Sequence, residues 1–326
     1  MLRDDEVAVI GSGSMGTALA YAAATAGNPA AVWCPDTATA ETVAARFHRL
    51  GADGLEAPVR ASTAIPDVVR NAALVIVAVP SPQCRATARS LGRFAFSGRA
   101  LLTATKGFER DTHARMSEIL AGETGSAVGV IAGANITPEL VARRLTALVV
   151  ASRAPEVGVL AKRYLESPQL RVWVHEDILS IELAAALKNV VAVGVGIAAG
   201  LELGFNARSI VFACGLKEIA TLGAALGAEP GIFAGPAGAG DLFLTASSPH
   251  SLNRRLGLEL GRGARLGDIV ARLPEVPEGI GSVRACRALA RRHRLHLPIA
   301  EAVAAILEGE RDAVTLEAAC REEPLA

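Results

Sequence analysis

The sequence predicts an α/β protein, a doubly wound parallel sheet followed by an all-α C-terminal domain, and three observations carry that reading. Short β-branched runs alternate with helical stretches through the first half of the chain. A glycine-rich turn stands between the first such run and the first helix. From Asp177 onward no convincing strand appears and helical patterns take over. The boundary is expected near residue 175, giving an α/β half over 1–175 and a helical half over 176–326.

The first strand is the run Glu6–Ile10, EVAVI. Gly11-Ser12-Gly13-Ser14-Met15-Gly16 follows at once, then a helix closing at Gly27 and a second strand, AAVWC, ending at Cys34. This is G-x-G-x-x-G in its required strand–turn–helix setting, the mark of a Rossmann-type dinucleotide-binding domain. Gly11 permits the tight turn, Gly13 lets a pyrophosphate approach the backbone, and Gly16 lets helix pack on strand. The first N–H groups of that helix would hold the pyrophosphate. After the second strand comes Trp33-Cys34-Pro35-Asp36. Asp36 is placed either to bond a ribose 2′-hydroxyl or to cap the helix starting near Thr37. No Arg is adjacent, which favours NAD and leaves NADP possible.

The alternation continues. Residues 73–79, ALVIVAV, form the continuous apolar run of a parallel strand covered on both faces. Further strands are expected at 99–104, 127–132, 145–151 and 170–174. The strand over 99–104 leads to Thr105-Lys106-Gly107, and the strand over 127–132 leads to Gly133, Asn135 and Thr137. Both loops fall at the carboxyl edge, where such sheets bind ligands. Lys106 is either a phosphate- or carbonyl-binding group or an exposed loop lysine.

The second half is organised around Ile178–Leu201, ILSIELAAALKNVVAVGVGIAAGL. It is almost wholly apolar yet carries Lys188 and Asn189 at its middle. Its length would suit a membrane span of about 20 residues. Against that, an ionised Lys at a helix centre costs roughly 2.5–3.5 kcal/mol on insertion. A buried helix is the better reading, with Gly194, Gly196, Ala198 and Ala199 allowing neighbouring backbones to come close, at an interdomain contact or a dimer seam. Lys188 there is either a proton-transfer group with a lowered pKa or one half of a structural ion pair with Glu182 or Asp241. A second long helix is expected over Asn206–Leu226, with Asn206 as its cap. Gly235–Gly240, GPAGAG, is a glycine-rich turn leading to Asp241 and Thr245. That i, i+4 pair would put a carboxylate and a hydroxyl on one helix face, unless Asp241 serves as an N-cap after Gly240.

Composition narrows the function. The chain has 326 residues, room for two domains with a core each. Lys plus Arg and Asp plus Glu are 33 each, so nothing electrostatic points to nucleic acid or an anionic membrane. Five Cys show no CxxC and no paired spacing, as expected of free thiols in a reducing cytoplasm. Neither Cys nor His forms a ligand cluster, so no metal is expected. The N-terminus runs straight into a strand, without the pattern of a signal peptide.

Several longer motifs then occur in a fixed order: VIGSGSMGTALA, TKG at 105–107, GANI with Glu139, LKNVVAVGVGIAAGLELGFNAR, GLKEI, AGAGDLFLT and SLNRR. Over nearly the whole chain this order resembles the NAD(P)-dependent glycerol-3-phosphate dehydrogenase family. The resemblance implies a Rossmann domain followed by a 6-phosphogluconate dehydrogenase C-terminal-like helical domain. It implies reversible hydride transfer between the nicotinamide and glycerol 3-phosphate, giving dihydroxyacetone phosphate. It implies a cytoplasmic homodimer with a small-molecule substrate. By the same resemblance Lys188 is the proton donor, Lys106 lies near substrate and cofactor, and Asp241 and Thr245 belong to the substrate site. Asn253 helps hold the substrate phosphate, and Gly133, Asn135, Asn189, Ser251 and Arg254 fall on the substrate side. Ser14, Met15, Thr137, Val276 and Glu278 match cofactor positions.

One departure stands out. The family reads S-R-N-R where this chain reads Ser251-Leu252-Asn253-Arg254. A lost charged hydrogen bond is worth roughly 1.5–3 kcal/mol. Either Arg254, Arg255 or Arg208 takes the role over, or the same chemistry serves a different hydroxy or keto substrate in a specialised pathway. A non-catalytic dinucleotide sensor is the reading from another class, and retention of Lys106, Lys188, Asp241 and Thr245 together argues against it.

Overall fold

The computed structural model describes residues 6–52, 55–94, 96, 99–133 and 137–322. The chain divides into two compact units, one of residues 1–105 with 114–178, the other of residues 106–113 with 179–326. The short segment Lys106–His113 therefore belongs to the helical unit, although it follows a strand of the first.

The first unit is built on an eight-stranded sheet: β1 Glu6–Ile10, β2 Ala30–Trp33, β3 Val59–Ser62, β4 Ala72–Val77, β5 Ala100–Thr103, β6 Val128–Ala132, β7 Thr146–Ala151 and β8 Leu170–His175. The order across the sheet is β3-β2-β1-β4-β5-β6-β7-β8. Ala8 of β1 lies between Ala31 of β2 and Val75 of β4, all parallel. Successive strand residues serve opposite faces. Val7, Val9, Leu74, Ile76 and Leu102 enter one buried cluster; Ala8, Ile10, Val75, Val77 and Leu101 enter another. Two buried faces explain why these strands read as unbroken apolar runs.

Two features differ from the sequence reading. Strand β3 has no counterpart in it. Its residues Val-Arg-Ala-Ser include one β-branched aliphatic, and it is an edge strand paired with β2 alone. Such a strand needs no apolar run; Arg60 instead forms a 2.6 Å ion pair with Glu6. Strands β7 and β8 are parallel to each other, but β7 runs antiparallel to β6. The helix between β6 and β7 is only Thr137–Val141. It covers about 7 Å, less than half the roughly 17 Å of a five-residue strand, and the chain turns back. An apolar run reads alike in either direction, so the pattern did not carry this.

The helical unit is centred on the helix Ile178–Gly200, whose residues Ser180 to Ala198 are all buried. It is long and apolar enough to cross a membrane, but nearly all of it is buried inside the protein. The glycines of this helix pack against helices of the same unit. Gly196 and Gly200 face Gly257 and Gly261 of the helix Leu252–Gly261 within the same unit. A Cβ on Gly257 would lie 2.0 Å from the Val193 carbonyl oxygen, so the two backbones touch directly. Gly194 meets Val303 and Val211. The next helix spans Gly204–Ala225, preceded by Leu203, so Asn206 lies inside its first turn and is not its cap. Gly204, at φ +80°, makes the sharp entry and starts the helix two residues early. No strand occurs beyond His175 among the described residues.

Candidate active site

The buried Lys188 emerges at the centre of the apolar helix, where its neighbours Leu187, Val190 and Val191 are at most 1% exposed. The partner that meets it comes from the glycine-rich segment. Pro236–Gly240 forms one π-helical turn that runs directly into the helix Asp241–Ser247. A Cβ on Gly238 would lie 2.1 Å from the Phe233 carbonyl oxygen, so only glycine lets this turn wrap so tightly. Asp241 is therefore continuous with a preceding turn and does not cap the helix. Its carboxylate points into the unit, 1% exposed.

One oxygen of Asp241, Oδ1, accepts a hydrogen bond from Lys188 Nζ. The other, Oδ2, accepts from Lys106 Nζ at 2.8 Å. Lys188 also donates to Thr245 Oγ1 at 2.7 Å, and that hydroxyl donates to the Asp241 carbonyl oxygen at 2.7 Å. Asp241 and Thr245 thus share a helix face as their spacing requires. The ion-pair partner of Lys188 is Asp241, not Glu182. The two lysines differ in exposure, 5% for the Lys188 side chain against 15% for Lys106.

Burial drives the Lys188 ammonium down to about 7; Asp241 opposes this and the neighbouring positive charge of Lys106 adds to it. Burial alone would push the Asp241 carboxyl up, but the two ammonium groups overcome it and hold it below the usual carboxylate range. With Lys188 neutral, Lys106 and Asp241 cancel; protonating Lys188 leaves one net positive charge in a dry interior. That is why a group with an ordinary value of 10.5 titrates near neutrality. An ammonium has three N–H donors. Asp241 and Thr245 take two, and the third has no partner among the described residues.

Next along the helix, Asn189 is 3% exposed. Its Oδ1 accepts from Asn253 Nδ2 at 2.9 Å, and Asn253 Oδ1 accepts from the backbone N–H of Gly279, also at 2.9 Å. Ser251 caps the helix Leu252–Gly261, its Oγ accepting from Arg254 N at 3.2 Å. Leu252 is half-buried in the first turn of that helix, as is Arg254, and Arg255 is exposed. Arg208 Nε donates to the Gly204 carbonyl oxygen and its guanidinium lies 4.0 Å from the centre of the Phe205 ring. Val276 is 66% exposed, and Glu278 immediately precedes the helix Gly279–Arg292.

The glycine turn lies in the first unit. Gly11 has φ +126°, and a Cβ there would fall 2.4 Å from the Ala78 carbonyl oxygen. A Cβ on Gly16 would fall 1.9 Å from the Gly11 carbonyl oxygen. The helix Ser14–Thr25 begins after an extended Gly13, with no side-chain cap and no acid in its first turn. Its first N–H groups and positive dipole end are left for an anion, which fits the pyrophosphate of a dinucleotide. Ser14 and Met15 form this first turn, and Thr137 Oγ1 donates to the Ser14 carbonyl oxygen at 2.9 Å. Gly133, at φ +101°, ends β6; Asn135 lies outside the described residues. Asp36 caps the start of the next helix. Its two oxygens accept from the N–H and the hydroxyl of Thr39, at 2.7 and 2.9 Å.

Lys106, Lys188, Asp241 and Thr245 are thus joined, as are Asn189 and Asn253. The sequence reading missed Gly279. A glycine opening a helix has no distinctive pattern, and only the Asn253 side chain, 2.6 Å from where its Cβ would stand, shows why it is there.

Comparison with known proteins gives a consistent answer for both halves. Residues 6–158 match the profile of the NAD-dependent glycerol-3-phosphate dehydrogenase N-terminus, and residues 177–317 match that of the C-terminus. The chain is 37% identical to a glycerol-3-phosphate dehydrogenase [NAD(P)+] of Stenotrophomonas maltophilia, over 94% of this chain and 92% of that one. It is 36% identical to the protein of that name from Moorella thermoacetica, over 98% and 96%. Among solved structures, glycerol-3-phosphate dehydrogenase from Coxiella burnetii superposes with a TM-score of 0.90 at 26% identity, covering 99% of this chain and all of that one.

Proposed function

This chain belongs to the NAD-dependent glycerol-3-phosphate dehydrogenase family, and from that premise we propose that it interconverts dihydroxyacetone phosphate and glycerol 3-phosphate with Lys188 as the proton-transfer group. The observation that carries the reading is the buried Lys188–Asp241–Lys106 cluster closed by Thr245.

The Gly11–Gly16 turn and the first turn of the helix Ser14–Thr25 would hold the dinucleotide through its pyrophosphate. When bound, reduced nicotinamide supplies the hydride that adds to the carbonyl carbon. The helical unit supplies the proton. In reduction, Lys188 is an ammonium; two of its N–H groups are held by Asp241 and Thr245, and the third is donated to the carbonyl oxygen. Lys106 adds a second positive charge to stabilise the developing oxyanion. In oxidation, Lys188 is a neutral amine. Its two remaining hydrogens keep the same partners, and the lone pair occupies the third direction, ready to take the hydroxyl proton. Asp241 stays ionised throughout, fixing both lysines. Thr245 cannot reverse its hydroxyl without losing the Asp241 carbonyl, so it remains an acceptor for Lys188.

Two finer readings accompany this one. A homodimer follows from the family resemblance. A reducing, cytoplasmic setting is supported by five cysteines that form no disulfide. Steady-state kinetics with NADH or NADPH and a panel of ketones tests the substrate. Dihydroxyacetone phosphate should give the highest kcat/KM. Preference for an unphosphorylated ketone would assign Leu252 to a different substrate and contradict the proposal.

A further inference from the structure

We propose that Gly279, acting through the side-chain amides of Asn253 and Asn189, fixes the direction of a hydrogen-bond relay so that Asn189 presents only N–H donors to the substrate. Asn253, which the family resemblance places at the substrate phosphate, then also positions Asn189, and the substrate oxygen that meets Asn189 is an acceptor. This rests on the oxidoreductase reading above.

The direction follows from the one group in the relay that cannot be turned round. A backbone N–H only donates, so the Asn253 atom 2.9 Å from Gly279 N is the amide oxygen. The planar amide then presents nitrogen at its other prong, 2.9 Å from Asn189. That nitrogen carries hydrogens, so the Asn189 atom facing it is the carbonyl oxygen. Asn189 is left with its NH₂ group outward, and this group donates to nothing among the described residues. The residue is 3% exposed. Its nitrogen nevertheless reaches accessible space, since the sealed, unpaired side-chain atoms among the described residues are Asn71 Oδ1 and Ser282 Oγ. A nearly buried amide with one open, donor-only edge follows directly after Lys188 in the chain. Gly279 is glycine because the Asn253 oxygen occupies the place of its Cβ, at 2.6 Å. Any side chain there would push Asn253 off the N–H that sets the relay.

Exchanging one atom tests this. In Asn253→Asp the ionised carboxylate still accepts from Gly279 but cannot donate to Asn189, whose amide turns to give its hydrogen inward and its oxygen outward. Protonation of the carboxyl, whose pKa burial raises, restores an O–H donor and with it the original direction. The measurement is kcat/KM for dihydroxyacetone phosphate reduction, from about pH 5 to about pH 9, for the wild type, Asn253→Asp and Asn253→Ala. Taking the ratio to wild type removes the titration of Lys188. We expect Asn253→Asp to be down about ten- to a hundredfold at high pH, the size of one mis-set hydrogen bond. It should recover about tenfold as pH falls, while the Asn253→Ala ratio stays flat. A pH-independent ratio for Asn253→Asp would overturn the relay. If that variant does not fold, Asn189→Asp serves instead; wild-type kcat/KM for it at high pH would also overturn the relay. A wild-type enzyme inactive on this ketone would sink the oxidoreductase reading instead, so the two failures are distinguishable.

Discussion

Lys188 and Asp241 meet in the interior of the helical unit, ammonium nitrogen against carboxylate oxygen, although 53 positions separate them in the chain. The segment ending at Gly240 delivers a carboxylate to the buried amine of Lys188. Lys106 completes the arrangement from the other oxygen of Asp241, and the cluster tunes the amine towards neutrality.

The pH dependence follows with a definite sign. Reduction needs protonated Lys188, so kcat/KM for dihydroxyacetone phosphate should be level below about pH 7 and fall above it, following the value near 7. Oxidation of glycerol 3-phosphate needs the neutral amine and should fall as pH drops below about 7. In Lys106→Met a like charge disappears, so the Lys188 pKa rises and both inflections move to higher pH. Steady-state profiles in both directions check this. Inflections that stay in place in the variant would show that Lys106 does not act on Lys188.

Much of this cluster was legible in the sequence. A lysine within an apolar helix has no packing reason to be there, and the spacing of Asp241 and Thr245 put carboxylate and hydroxyl on one face. The glycine turn after β1 was equally plain, because each glycine answers a separate steric demand. What the sequence did not carry was pairing at a distance. Gly196 announced a close contact but not its partner, which proved to be Gly257 of the same chain. Edge strand β3 and the reversal at β7 were hidden for a related reason: neither depends on a local apolar pattern. Asp36 had two roles open to it, and only its bonds to Thr39 show the cap.

Gly11→Ala should weaken dinucleotide binding with the helical unit left folded. The added methyl group meets the Ala78 carbonyl oxygen at 2.4 Å, and the backbone at φ +126° excludes a side chain on its own account. Fluorescence titration with NADH should show Kd raised by about tenfold or more, as expected for a strain of about 1–3 kcal/mol. Unchanged binding would mean that this turn does not hold the cofactor.

Gly257→Val should loosen the seam between the helices Ile178–Gly200 and Leu252–Gly261. There is no room beside the Val193 carbonyl oxygen, so the helices must separate. A loss of about 1–3 kcal/mol is expected from such overpacking, read as a lower Tm of several degrees by calorimetry. A Tm equal to that of the wild type would contradict the direct backbone contact.

The central claim is tested most directly by turnover of the Lys188→Met variant, which keeps the length of the side chain and removes the transferable proton. With NADH and dihydroxyacetone phosphate at saturation, kcat should fall by about 10²–10⁴-fold, while the Kd for NADH stays within about threefold of the wild type. Near-wild-type kcat in this variant would contradict the account, because the proton would then come from a group other than Lys188.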